Sequence, residues 1–364
     1  MTRRSFIRGI GLVSAQGTTA GQIWDALLAG PVLENNRGCA LVSDGTTRVS
    51  QLAIHAAREA IAQAQWPRSA LAESRTALII GTSKGPIERW IDEIFHHREP
   101  APLIGVGEVS FDVARALGCS HGPRLTVAAA CASGLQALIR ADQLVKAGAC
   151  DRALVIGAES SLHPLFVAAF KRLGVLARPE IGCRPFDESR EGFLISEAAA
   201  AVCIEAETSD DEEGIYIHRT ALAGDPYHLT GMDETGEGIR YLLRAVESAD
   251  ADLIHAHGTA TLTSDPVELA AIAATAGPDH PVIYSHKAAL GHTQGASGMI
   301  SVVLNVLAHQ HGAVPPNSNT TQPISHERVQ IASKPIQRQI THSAVLAAGF
   351  GGTLAAVSLK SGGI

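Results

Sequence analysis

Cys131 is the residue of this sequence best placed to do chemistry. It lies in TVAAACASGLQALIRADQLVKAG at 126–148, where a short apolar run meets the cysteine, a tight Ala-Ser-Gly and then a stretch of helix formers. The pattern predicts a strand, a sharp turn and a helix, with the thiol at the helix N-terminus. Unpaired backbone N–H groups and the helix dipole favour negative charge there, so a lowered thiol pKa and a nucleophilic thiolate are expected. The alternative reading of such a cysteine is a small buried hydrophobe without chemistry.

A repeat favours chemistry. ASGLQALIRADQLVKAG at 132–148 recurs as ASGMISVVLNVLAHQHG at 296–312, with the same spacer between the tripeptide and the final glycine. The second copy has Gly295 where the first has Cys131, and it carries His292 three residues earlier. Two copies of one unit, with their chemistry divided, suggest duplicated halves rather than a solenoid.

Other elements must position these turns. In the first half, 5–13, 76–81, 153–158 and 198–205 read as strands, 18–28, 49–65 and 109–117 as helices, and 87–97 as an amphipathic segment. Prolines at 100–102 end that segment. In the second half, 214–222, 253–257, 281–285, 344–348 and 354–359 read as strands, and 238–248 and 296–311 as helices. The helix at 296–311 is apolar almost all round and must lie between layers. Two βαβ-type halves, 1–206 and 207–364, are therefore expected to pack their central helices together, with sheets outside them and further helices on the surface. The acidic TSDDEE at 208–213 reads as a solvated linker between the halves.

Composition narrows the function. The 364 residues are 46% hydrophobic with 35 glycines and only 4% aromatic, so a large core must be built from aliphatic side chains. A net charge of −7 argues against nucleic acid as a partner. Six single cysteines without a CxxC pair suit a reducing compartment without structural zinc. Arg3-Arg4 resembles a twin-arginine export signal, but Arg8 and the glycines after it interrupt the apolar region such a signal requires. No apolar run is long enough for a membrane span. A cytoplasmic protein is expected. No GxSxG is present to suggest a serine hydrolase.

Five motifs together carry a family resemblance: AACASG at 129–134, RPFDESREGF at 184–193, HGTAT at 257–261 with Asp265 and Glu268 beyond it, SHKAALGHTQGASG at 285–298, and GFGGT at 349–353. In this order they resemble the elongating β-ketoacyl-acyl-carrier-protein synthases of the thiolase superfamily, including members from polyketide and aryl-polyene pathways. The resemblance implies an α/β, thiolase-like, five-layered αβαβα fold. The implied reaction is decarboxylative Claisen condensation of an acyl group held on Cys131 with malonyl-acyl-carrier-protein, giving a 3-oxoacyl-acyl-carrier-protein. His257 and His292 suit the enolate step, because two imidazoles donating from Nε2 stabilise a developing oxyanion. His255, inside its strand, is assigned no chemistry.

By the same resemblance Lys287 is the active-site lysine, although by residue type alone it reads equally well as a surface lysine. The N–H groups of Cys131 and Phe350 would form an oxyanion hole. Phe170, Phe350, Thr259 and Thr261 would bind substrate, and Asp265 and Glu268 would be structural, tying Lys287 or a monovalent cation in place. No metal and no cofactor of the chain's own are expected, since phosphopantetheine arrives on the carrier protein. A dimer is implied, homodimeric or with a related ketosynthase-like subunit, through pairing of the strand at 153–158 across a two-fold axis. The other reading is a weakly active or non-catalytic partner subunit resembling a chain-length factor, but such a subunit lacks the nucleophile. Ser264, Ser196, Ala198 and Leu354 depart from the family pattern, and the loops at 30–50 and 85–108 are short. Starter unit and chain length therefore stay open.

Overall fold

A computed structural model of the chain describes residues 3–39, 46–96, 105–207 and 213–362. The first half opens with β1 (Arg4–Val13) and α1 (Ala20–Leu28), the latter capped by the Thr19 hydroxyl, which accepts from the Gln22 N–H. Next come α2 (Arg48–Gln63), the short α3 (Arg68–Ala72), β2 (Thr76–Gly81), α4 (Ile87–Phe95) and α5 (Gly107–Leu117). Then follow β3 (Arg124–Val127), α6 (Ser133–Lys146), β4 (Arg152–Glu159), α7 (Pro164–Arg172) and β5 (Ala198–Glu207). The second half contains β6 (Gly214–Gly224), α8 (Glu237–Ala245), β7 (Leu253–His255), α9 (Ser264–Thr275), β8 (Val282–Tyr284), the single turn α10 (Lys287–Leu290) and α11 (Ser297–His311). It closes with β9 (Ala313–Val314), β10 (Gln330–Ile331), β11 (Ile336–Gln337), β12 (His342–Gly349) and β13 (Thr353–Gly362).

Three buried clusters define five layers. The central one joins α6 and α11 to the inner faces of both sets of strands, for example Leu138, Val155, Val303 and Val357. A second packs α2 and α5 on the outer face of β2, β4 and β5. The third packs α8 and α9 on the outer face of β7, β8, β12 and β13. Small residues make the close approaches possible in a core with few aromatics. A Cβ at Gly11 of β1 would lie 2.0 Å from the Ala56 carbonyl oxygen of α2, so strand and helix backbones touch only because that side chain is missing.

The repeat explains the middle layer. A Cβ at Gly134 would lie 3.2 Å from Met299 Cβ, and one at Gly298 would lie 2.9 Å from Leu135 Cβ. Gly134 and Gly298 are equivalent in the two copies, as are Leu135 and Met299, so the central helices meet through interchangeable contacts. The strained residue before each ASG turn is also shared: Ala130 has φ +48 and its counterpart Gln294 has φ +46.

Several expectations change. The strands of the two halves do not form separate sheets; they run as one ribbon, β10-β8-β7-β12-β13-β6-β1-β5-β4-β2-β3, joined where β1 pairs with β6 at Ser5↔Ile217 and Phe6↔Tyr216. β4 cannot pair across a two-fold axis, because β2 and β5 occupy both its edges. The unpaired edge on that side is β3. Helices α7 and α9 were not foreseen; α7 buries none of its side chains fully, and its Val167 and Phe170 are only partly buried. The end of the amphipathic segment expected over 87–97, the prolines at 100–102 and most of the acidic linker fall outside the described residues.

Candidate active site

The turn between β3 and α6 presents Cys131. Ser133 of the ASG tripeptide stabilises the positive φ of Ala130: its Oγ donates to the Ala130 carbonyl at 2.6 Å and accepts from the Ala129 N–H at 2.9 Å. Thr353 Oγ1 donates to the Ala129 carbonyl at 3.1 Å, tying in the glycine-rich turn after β12. A Cβ at Gly349 would lie 3.1 Å from the Cys131 nitrogen. The main chain before Phe350 therefore runs directly beside the nucleophile turn, which is the arrangement two convergent N–H donors require.

The expected low pKa of Cys131 is not found. Burial pushes the thiol up to about 11, with Glu159 adding to the rise while Lys84 and Lys287 pull it down. Desolvation of the charged form outweighs the neighbouring cations here. The resting residue is a thiol, and the charges around it decide how readily it ionises.

His257 lies beyond β7, which stops at His255 rather than continuing to 257. The cause is Glu268 on α9, whose two oxygens accept the N–H groups of His257 at 2.6 Å and Gly258 at 2.7 Å and so hold the chain away from the sheet. Lys287 Nζ donates to the His257 carbonyl from the other side. Lys287 is fully buried, which overturns the surface reading, and its pKa is lowered by that burial. It stands behind His257 and outside the pocket wall. Asp265 Oδ2 accepts the Phe186 N–H at 2.7 Å, and burial raises this carboxyl to about 7. Glu268 and Asp265 thus hold main chain around the site. Neither makes a hydrogen bond to Lys287.

His292 is fixed in one tautomer. Its Nδ1 accepts the Gln294 N–H at 3.3 Å, and burial drives its pKa well below the ordinary histidine value. A neutral ring with Nδ1 as acceptor carries its proton on Nε2. His257 is likewise held neutral by burial. The two rings are 5.6 Å apart at 82°. Phe193 packs edge-on to His292 at 4.7 Å.

RPFDESREGF also gains a role, because Arg190 donates to the carbonyls of Thr261 and Leu262 and so shapes the loop after His257. His255, without a role in the sequence reading, lies in a buried chain with Asn305 and His286, each at 2.9 Å.

One pocket brings the catalytic candidates together. It measures about 730 Å³ including its mouth, and Cys131, His257, His292, Thr259 and Thr261 line it. Phe170 and Phe350 also face it, with ring centroids 6.2 Å apart. Sequence reasoning missed Phe193, Thr230 and Met232 on the wall, and Lys84 and Glu159 behind it. A signal for Lys84 existed: Gly81-Thr82 ends β2 as Gly258-Thr259 follows β7, so the residues just after it had reason to face the site. Among the described residues no cluster of His, Cys, Asp and Glu could hold a metal ion, and no helix is long and apolar enough to cross a membrane.

Residues 43–209 match the family model for the beta-ketoacyl synthase N-terminal domain, and residues 216–321 the model for its C-terminal domain. A 3-oxoacyl-[acyl-carrier-protein] synthase 2 of Rhizobium meliloti is 29% identical over 85% of this chain and 79% of its own length. A putative polyketide beta-ketoacyl synthase 1 of Streptomyces cyaneus is 28% identical over 99% of this chain and 98% of its own length. Among solved structures, the ishigamide ketosynthase/chain length factor superposes with a TM-score of 0.88 at 25% identity, covering 99% of this chain and 100% of that one. The ketosynthase ApeO in complex with its chain length factor ApeC, from Xenorhabdus doucetiae, superposes with a TM-score of 0.84 at 22% identity, covering 99% of this chain and 98% of that one, a likeness of fold.

Proposed function

The chain belongs to the beta-ketoacyl synthase family, and from that premise we propose that it is an active acyltransferase whose Cys131, His257 and His292 carry out decarboxylative Claisen condensation on acyl carrier protein substrates. The observation that carries this reading is the Gln294 N–H on His292 Nδ1, which leaves Nε2–H free to donate into the pocket Cys131 lines.

In the first half-reaction the Cys131 sulfur attacks the acyl thioester carbonyl. The oxyanion takes hydrogen bonds from the N–H groups of Cys131 and Phe350, the acyl group passes to Cys131, and the carrier's pantetheine sulfur leaves and takes up the proton that the Cys131 thiol gives up. In the second, the malonyl thioester carbonyl accepts from Nε2–H of His257 and His292. Loss of CO₂ delivers the electron pair to form an enolate, and its carbon attacks the Cys131 thioester. That attack forms the new carbon–carbon bond, and collapse of the adduct breaks the bond to sulfur, releasing the Cys131 thiolate, which is reprotonated, and leaving a 3-oxoacyl-acyl-carrier-protein. Lys287 acts through the His257 carbonyl it holds. The chain needs no cofactor of its own, the phosphopantetheine being part of the carrier protein.

Thr259 and Thr261 would hold the pantetheine arm along the pocket wall, and the Phe170 and Phe350 rings would bound the acyl chain. The second reading, a chain-length-factor-like partner, finds support in the fold shared with ketosynthase and chain length factor pairs. The presence of Cys131 together with both neutral imidazoles favours the active reading. A cytoplasmic setting accords with the six free cysteines. Incubation with an acyl donor, followed by peptide mass spectrometry, tests the proposal: the acyl mass should sit on Cys131, and its absence there would leave the partner-subunit reading.

A further inference from the structure

Lys84 lies in the loop leaving β2, on the nucleophile's side of the site. Its ammonium donates to Ser83 Oγ at 2.7 Å and to Gln294 Oε1, and it stands 3.9 Å from Glu159 Oε1 with its side chain 19% exposed. The Phe166 ring lies under it at 5.4 Å. Glu159, wholly buried at the end of β4, accepts the Ser83 N–H at 2.8 Å and the Ser83 hydroxyl at 2.6 Å with one oxygen, which also takes the Gly295 N–H at 3.1 Å. Its other oxygen accepts from Ser161 Oγ at 3.1 Å.

Two chemistries meet at this clamp. Gln294 holds Lys84 with its side chain and fixes His292 with its main-chain N–H. Gly295 occupies the position of Cys131 in the second repeat, and a Cβ there would lie 2.5 Å from both Glu159 Oε2 and the Ser83 nitrogen. The duplicated turn has a bare residue where the clamp closes.

We propose that Lys84 is a positioning residue of the condensing site: its ammonium favours the thiolate of Cys131, and its bond to Gln294 holds the His292 turn against the loop after β2. This rests on the reading of Cys131 as the nucleophile. The charged groups that act on the sulfur are Lys84 and Glu159 from the first half and Lys287 from the second, all behind the pocket wall, while His257 and His292 share its pocket. Both imidazoles are neutral, so the charges that act on it are the two lysines, which lower the thiol pKa, and Glu159, which raises it. Lys287 approaches from behind His257. Lys84 is the cation tied to the first half.

The test is the pH dependence of Cys131 alkylation by iodoacetamide, followed by peptide mass spectrometry on the full chain. Lys84→Met should slow alkylation at pH 8 by about threefold or more, because half a pK unit changes the thiolate fraction by about that factor. Lys84→Arg should restore the profile, and Glu159→Gln should move it the opposite way. A purely structural lysine would leave the profile unmoved, so superimposable wild-type and Lys84→Met curves overturn the proposal. Should Lys84→Met fail to fold, Lys84→Gln, which keeps polar contacts without the charge, takes its place with the same expected and contrary results. Alkylation requires no carrier protein. Loss of acyl transfer to Cys131 with the predicted alkylation shifts intact would therefore count against the nucleophile's role and not against Lys84.

Discussion

Burial sets the protonation states of the residues proposed to do the chemistry, and it acts on them in opposite directions. It holds His257 and His292 neutral by pushing their pKa values well below the ordinary histidine value, and it holds Cys131 as a thiol by pushing it up to about 11. A lowered histidine pKa means the ring is already unprotonated at pH 6, so the enolate-stabilising form is not lost on going down from pH 8. Decarboxylation of malonyl carrier protein by enzyme already acylated on Cys131 should therefore vary little between pH 8 and pH 6, whereas alkylation of free Cys131 should rise continuously toward pH 11. A sharp fall in decarboxylation near pH 6.5 would mean that the rings titrate normally.

The types of these residues were legible in the sequence, and their charge states were not. Proximity to a helix N-terminus can be read from a strand, turn and helix pattern; the depth of the pocket around the sulfur depends on residues such as Phe170 and Phe193 far away in the chain. Phe170 offers a separate check. Replacing it with Ala removes a ring 6.2 Å from Phe350 and should shift products to longer chains. An unchanged product distribution would remove Phe170 from the acyl pocket.

At the scale of elements, glycines set how near the layers come. Gly11→Ala would drive a methyl group into the Ala56 carbonyl of α2, where neither backbone can give way without moving the helix. We expect a loss of about 1–3 kcal/mol in urea unfolding, and a wild-type midpoint would show that β1 and α2 are less tightly apposed. The main strands and the two central helices were readable because their apolar runs and the repeated ASG turn are local signals. α7 was not, because it presents no fully buried side chain. The end of β7 was not either, because Glu268 draws off the N–H groups of His257 and Gly258 from eleven and ten residues away. Lys287 shows the same limit: its type read equally well as a surface lysine, and its carbonyl partner at His257, with the acids Glu268 and Asp265 nearby, accounts for an ammonium in the core.

For the whole molecule, the ribbon of described strands ends on one side at β3, a short strand that among the described residues pairs with β2 alone. An open edge beside the nucleophile helix is a natural place for a second chain to add. Light scattering at micromolar concentration should give the mass of a dimer, and amide exchange should show β3 protected at high concentration and exposed on dilution. A stable monomer with freely exchanging β3 amides would contradict this. The duplicated halves also explain why the site lies where it does. Cys131 and Gly295 occupy equivalent turns of central helices that meet through Gly134 and Gly298, so the proposed nucleophile of one half shares a pocket with the imidazoles of the other across the middle layer.

The division of labour across that layer is the central claim, and intact-protein mass spectrometry beside a CO₂-release assay tests it most directly. Acyl transfer to Cys131 does not require both imidazoles, whereas decarboxylation develops charge on the malonyl oxygen they face. Each lost donor should cost about 10²–10³ in rate, as for other oxyanion donors. His292→Ala should therefore still gain the acyl mass while releasing almost no CO₂, and Cys131→Ala should gain no acyl mass. Wild-type CO₂ release from His292→Ala would contradict the two-imidazole account and leave His257 or a water to carry the step.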